Sequence, residues 1–88
     1  MNVSEKIEKK LTEAFHPVRL EVIDESEGHR GHAGWREGGE THFKVVIAAA
    51  AFNGQSRVAR QRMVYQALAE ELAGPVHALA LQVDGAED

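Results

Sequence analysis

Cysteine is absent from this chain of 88 residues. That excludes a disulfide framework, a thiol nucleophile and any Cys-based zinc or iron–sulfur site the chain completes alone. Metal chemistry must come from histidine, carboxylate or a partner's thiolates. Long apolar runs are missing too: none approaches the ~18 residues needed to span a bilayer. The N-terminus alternates charge where a signal peptide would open with a basic patch and a greasy core. These absences point to a soluble, cytoplasmic protein without a membrane role.

A third absence is local. Positions 41 to 69 hold no Asp or Glu, yet carry Lys44, Arg57, Arg60 and Arg62. Outside that island stand the other six Lys/Arg and all fourteen acids, and the net charge is −4. Segregation of this kind suggests a face that meets an anionic partner. The plainer reading is a solvated helix face. On the first reading, neutralising Arg60 and Arg62 weakens binding and leaves the melting temperature alone.

The length suits one domain over residues 1–88, ordered over about 3–83, which buries roughly 60–65% of its unfolded surface in a single small core. With 43% hydrophobic and 27% charged residues, the composition is that of a globular protein, since a disordered one has far less apolar material. No internal repeat, low-complexity segment or domain boundary interrupts it.

Local patterns supply the elements. Asn2 with Glu5 fits a capping box, and Val3, Ile7, Leu11 and Ala14 or Phe15 line one face of a helix over 3–15. His16-Pro17 ends it, because a residue before proline is pushed toward extended geometry. Val18, Leu20 and Val22 alternate with Arg19, Glu21 and Ile23, which predicts a strand over 18–24 with one buried face. His42 to Ala49 alternates likewise and should pair with it antiparallel. Between them, residues 25–39 hold five glycines and no periodicity, so a mobile, open loop is expected.

Phe52-Asn53-Gly54 signals a turn, and Ser56 is placed to cap a helix that runs to Ala73 and stops at Gly74-Pro75. Val64, Leu68 and Leu72, with Val58 and Tyr65 near the same stripe, form its core face. Val76 to Val83 reads as a third strand, followed by a polar tail that frays. The second helix has Arg57 and Arg60 at its start and Glu70 and Glu71 at its end. This opposes the macrodipole by roughly 0.3–1 kcal/mol per exposed charge. Stability does not explain it, and a cationic helix N-terminus is also an anion site.

Three of the five histidines are candidate ligands. His29 and His32 sit three apart in the glycine-rich loop, where both rings can turn toward one ion; two unrelated surface histidines would look the same. His77 opens the third strand on the parity of Leu79 and Leu81, at the margin of the sheet, and a hydrogen-bonded structural histidine is the alternative. His42, on the face opposite Phe43, and His16, at the helix end, read as structural or exposed.

Taken together, Asp24-Glu25-Ser26 with His29, Glu40-Thr41-His42-Phe43, Phe52-Asn53-Gly54, Arg60-Gln61-Arg62-Met63-Val64-Tyr65, Leu68-Ala69-Glu70-Glu71-Leu72 and Val76-His77-Ala78-Leu79 resemble the BolA family. The resemblance spans about Ile7 to Leu81. It implies an α+β, two-layer αββαβ fold of class II KH-like type, a three-stranded mixed sheet with helices on one face. A C-terminal helix common in the family should be absent or very short here. It also implies partnership with monothiol glutaredoxins of the Cys-Gly-Phe-Ser type around a shared [2Fe–2S] cluster. In that role His77 matches the family's C-terminal histidine and His29 its loop ligand, with His32 a rival. Glutaredoxin and glutathione would supply thiolates, and the isolated chain would bind no cluster. Gln61 departs from the family's Arg-His-Arg run and cannot supply a titrating imidazole.

The resemblance also implies transcriptional regulation through DNA, for which Lys44, Arg57, Arg60 and Arg62 are the candidates. Against this, the chain is acidic, has no Gly-x-x-Gly clamp, and can neutralise few phosphates. No phosphate loop or ordered Ser–His–Asp set is present, so catalysis by the isolated protein is not expected. Alone it should be a monomer or weak homodimer.

Overall fold

The computed structural model describes residues 2–25 and 42–86. The first helix, α1, spans Val3–Phe15, and the Asn2 side chain accepts the Glu5 N–H at 2.8 Å, as the capping pattern requires. Ile7 and Leu11 are fully buried on its inner face, and Val3 and Phe15 pack beside them. Ala14 is exposed. The helix stops at His16, but not by the extended route expected of a pre-proline residue. His16 is left-handed (φ 47°, ψ 57°), and its N–H returns to the Thr12 carbonyl at 3.0 Å. The helix-closing bond outweighs the local preference here.

Strands β1 (Arg19–Asp24) and β2 (His42–Ala49) pair antiparallel. Val18 lies just outside β1 and is 71% exposed, so it does not share the buried face of Leu20 and Val22. A short 3-10 turn, Ala50–Phe52, follows β2, and Gly54 takes φ 75°, a conformation its lack of a Cβ permits. Phe52 is buried with its ring 4.8 Å from that of Phe15. It thereby ties the turn to the end of α1.

The second helix is two helices. One, α2, spans Arg57–Ala67, capped by Ser56 Oγ, which accepts the Ala59 N–H at 3.1 Å. The other, α3, spans Ala69–Ala73. Leu68 between them leaves helical geometry (φ −106°, ψ 20°), yet the bonds Leu68 N–H to Val64 O and Leu72 N–H to Leu68 O carry the ladder across. This break changes the charge argument. Glu70 and Glu71 lie in the first turn of α3, where the dipole favours them. Lys10 of α1 reaches both, at 2.9 Å to Glu71 and 3.5 Å to Glu70. On α2 the core residues are Val64 and, at its end, Leu68; Val58 and Tyr65 are exposed instead.

β3 (Ala78–Gly85) runs parallel to β2, giving the mixed sheet order β1-β2-β3. A parallel pair needs a crossover, and α2 and α3 supply it. The strand extends past Val83 because Asp84 and Gly85 pair with Ala48 and Ala49, and the Asn53 side chain accepts the Ala86 N–H at 2.9 Å. Phe43, Val45, Ile47 and Ala49 face the helices and are buried with Ile7, Leu11, Val64 and Leu68. The result is the expected two-layer α+β fold in αββαβ order, with the second helix in two segments and the helices on one face of the sheet. Apart from Glu25, the segment expected to be a loop over 25–39 lies outside the described residues.

Candidate functional site

One corner of the sheet gathers three chain segments. The Glu25 N–H donates to the His42 carbonyl at 2.8 Å, so the two ends of the connection between β1 and β2 meet there. β2 and β3 start side by side, with His42 partnered to Ala78 in the parallel register. His77, the residue before β3, is therefore held next to His42. Their ring centroids are 6.4 Å apart with planes 23° from parallel. His42 is 9% exposed, whereas His77 is exposed to solvent. One imidazole is packed; the other lies in solvent beside it. His29 and His32 lie outside the described residues.

His42 is the member of this corner that reading the sequence missed. The signal was available in principle: a strand, a helix and a strand imply a parallel pair, and a parallel pair starting at 42 and 78 brings His42 beside His77.

The cationic island does not form one face. Lys44 has the parity of His42, Val46 and Ala48, on the side of the sheet away from α2, with Ile23 and Ala80 as its neighbours across the strands. Arg57 and Arg62 are exposed on α2. Arg60 serves the fold. Its Nε donates to the carbonyls of Phe52 and Gln55, both at 3.1 Å, and its Nη1 to the carbonyl of Val83 at 3.4 Å. The arginine that looked misplaced at a helix start donates to carbonyls of the preceding turn and of β3, adding a charged donor to Phe52, whose carbonyl also accepts the Gln55 N–H, and reaching Gln55 and Val83. These bonds give Arg60 a place in the fold besides any in binding.

Beside these arginines, between α2 and β3, opens a groove of about 470 Å³. Gln55, Arg57, Gln61, Gln82 and Asp84 line it with Arg60. Gln61, the departure from the family's Arg-His-Arg run, contributes an amide that both donates and accepts.

Comparison with known proteins agrees with this architecture. The family model for BolA-like proteins matches residues 11–88. The chain is 52% identical over 81 residues to a DNA-binding transcriptional regulator, BolA, of Escherichia coli, covering 92% of this chain and 73% of that protein. It is 49% identical over 80 residues to BolA-like protein 1 of the mouse, covering 91% of this chain and 56% of the mouse protein. Among solved structures, BolA1 from Arabidopsis thaliana superposes with a TM-score of 0.88 at 33% identity, covering 100% of this chain and 96% of that one. With the mixed sheet, the crossover in two helical segments and the histidine corner in place, the chain belongs to the BolA family.

Proposed function

We propose that this protein is the BolA-like partner of a monothiol glutaredoxin in [2Fe–2S] cluster binding, transfer or iron and redox sensing, contributing imidazole ligands to a cluster shared between the two chains. The observation that carries this reading is the exposed His77 ring, braced by His42 at the corner where Glu25 and His42 close the connection between β1 and β2. His29 and His32 are four and seven residues beyond Glu25. Fully extended chain of those lengths reaches at most about 14 and 25 Å, and the proposal assigns the second imidazole to one of these two histidines.

The donor chemistry fits a divided ligand set. This chain has no thiol, so glutaredoxin and glutathione supply the thiolates and histidines supply nitrogen. Among the described residues no three His, Asp or Glu side chains gather as a metal site. When bound, such a cluster supplies one-electron chemistry, at a potential that imidazole ligation raises above that of all-thiolate centres. His77 gives a ring nitrogen, and the sheet corner fixes where it stands.

Absorbance and circular dichroism spectra of the protein mixed with a Cys-Gly-Phe-Ser glutaredoxin, iron, sulfide and glutathione test this. The mixture should differ from glutaredoxin alone. His77→Ala should abolish the difference, and His29→Ala should weaken it, incompletely where His32 substitutes. A spectrum indifferent to His77→Ala overturns the reading.

A second reading is DNA-binding regulation of transcription. It is favoured by the name of the Escherichia coli relative and by Arg57 and Arg62, exposed on α2. With few phosphates neutralised, such binding is modest and steeply salt-dependent. Fluorescence anisotropy with duplex DNA at 50 and 200 mM salt tests it, Arg57→Ala with Arg62→Ala being expected to remove the binding.

A further inference from the structure

β3 is an edge strand, and its free edge is guarded at one end only. In a strand paired on one side, alternate residues turn N–H and C=O away from the neighbour. Val83 belongs to the outward set, since its carbonyl accepts from Arg60. Leu79 and Leu81 share its parity. Toward Gly85 the edge is engaged by Arg60 on the Val83 carbonyl, whereas the Ala86 N–H, of the inward parity, meets Asn53. Toward Ala78 it is open: among the described residues, neither Leu79 nor Leu81 has an outward hydrogen-bond partner. The register with β2 is continuous over this stretch, so no bulge twists the edge away, and residues 78–83 contain neither proline nor lysine. The devices that keep natural edges from pairing are missing where the backbone is free.

The groove between this edge and α2 adds a chemical preference. Arg57 is exposed and has no ion pair or hydrogen bond among the described residues. Arg57 and Arg60 outnumber the one acid, Asp84, which Gln82 Nε2 approaches at 3.3 Å. A ligand here meets main-chain donors and acceptors on one wall and positive charge on the other. The phosphates of a nucleic acid offer acceptors alone, so only its bases could meet the outward carbonyls. A peptide backbone answers both.

We propose that the open edge of β3 receives an extended acidic segment of a partner protein, which adds as a fourth strand along Leu79 and Leu81 while one of its carboxylates meets Arg57. Amide signals of the full-length isotope-labelled protein, titrated with a capped hexapeptide of alternating glutamate and valine, test it. The amides of Leu79 and Leu81 should shift and exchange more slowly with solvent. The same peptide with alternate N-methyl groups should not bind. Arg57→Glu should weaken binding about fivefold, as expected for one exposed ion pair reversed in sign, with an unchanged thermal midpoint. A lysine–valine peptide should show the opposite preference between the two proteins.

No change at Leu79 and Leu81 with millimolar peptide overturns the proposal, as does equal binding of the acidic and basic peptides. So does displacement of the acidic peptide by a thymidine dodecamer, which would assign the groove to single-stranded nucleic acid. Concentration-dependent protection of Leu79 and Leu81 without peptide would assign the edge to a second copy of this chain.

Discussion

Arg60 and Val83 are 23 residues apart in the chain and joined in the fold, guanidinium to carbonyl. The same side chain holds the carbonyls of Phe52 and Gln55, so a single cation fastens the turn before α2 to the far end of β3. Arg60→Ala leaves these carbonyls without their charged donor and should destabilise the protein by about 1–3 kcal/mol. Arg57→Ala and Arg62→Ala should stay within about 0.5 kcal/mol of the parent. Urea unfolding of the three variants separates them. Equal stabilities would mean that water replaces the guanidinium without loss.

Lys10 and Glu71 connect α1 to α3. The hydrogen bond from Lys10 to the Glu71 carboxylate holds the ammonium pKa above its ordinary value, with Coulombic attraction to Glu71 and Glu70 acting the same way. A raised lysine pKa contributes stability that is full below the unfolded value of about 10.4 and disappears as pH rises through the folded value. Lys10→Met should therefore be less stable than the parent at pH 8, and the gap should narrow at pH 11. Denaturant midpoints at the two pH values check this. A gap that widens with pH contradicts the sign.

His16 occupies a left-handed position that closes α1. An L-residue there carries about 1–2 kcal/mol of steric cost, and glycine offsets part of the gain through its own entropy, about 0.5–1 kcal/mol. His16→Gly should stabilise the protein by about 0.5–1 kcal/mol, raising the thermal midpoint by several degrees. A lower midpoint would show that the exposed imidazole makes a contribution of its own.

What the sequence made legible was local. Asn2 with Glu5, Ser56 before α2, and the alternation from His42 to Ala49 each state their element within a few residues, and each stands in the fold where the pattern put it. The features it concealed depend on partners far along the chain. Arg60 looked like a charge opposed to its helix because Phe52, Gln55 and Val83 carbonyls have no side-chain signature. Glu70 and Glu71 looked misplaced because nothing in the residues around Leu68 marks a break there. Of the candidate site, His77 was visible as a strand-opening residue. Its adjacency to His42 is not local and follows only once the parallel register of β2 and β3 is inferred from the strand–helix–strand order.

That pairing divides two roles between two similar side chains. His42 is packed at 9% exposure, and His77 lies in solvent 6.4 Å from it. Removing a packed ring leaves a gap and an unsupported neighbour, so His42→Ala should cost about 1–2 kcal/mol. For a domain of this size that lowers the thermal midpoint by roughly 4–16 °C. His77→Ala removes little buried surface and should leave the midpoint within about 2 °C of the parent. In the glutaredoxin mixture the order should invert: His77→Ala loses the mixed-cluster spectrum while folded, and His42→Phe, which keeps an aromatic ring against His77, retains it. Thermal melts and visible spectra on the same three variants decide the matter. If His77→Ala melts early and His42→Ala does not, the exposed ring is the structural one and the assignment of roles at this corner is reversed.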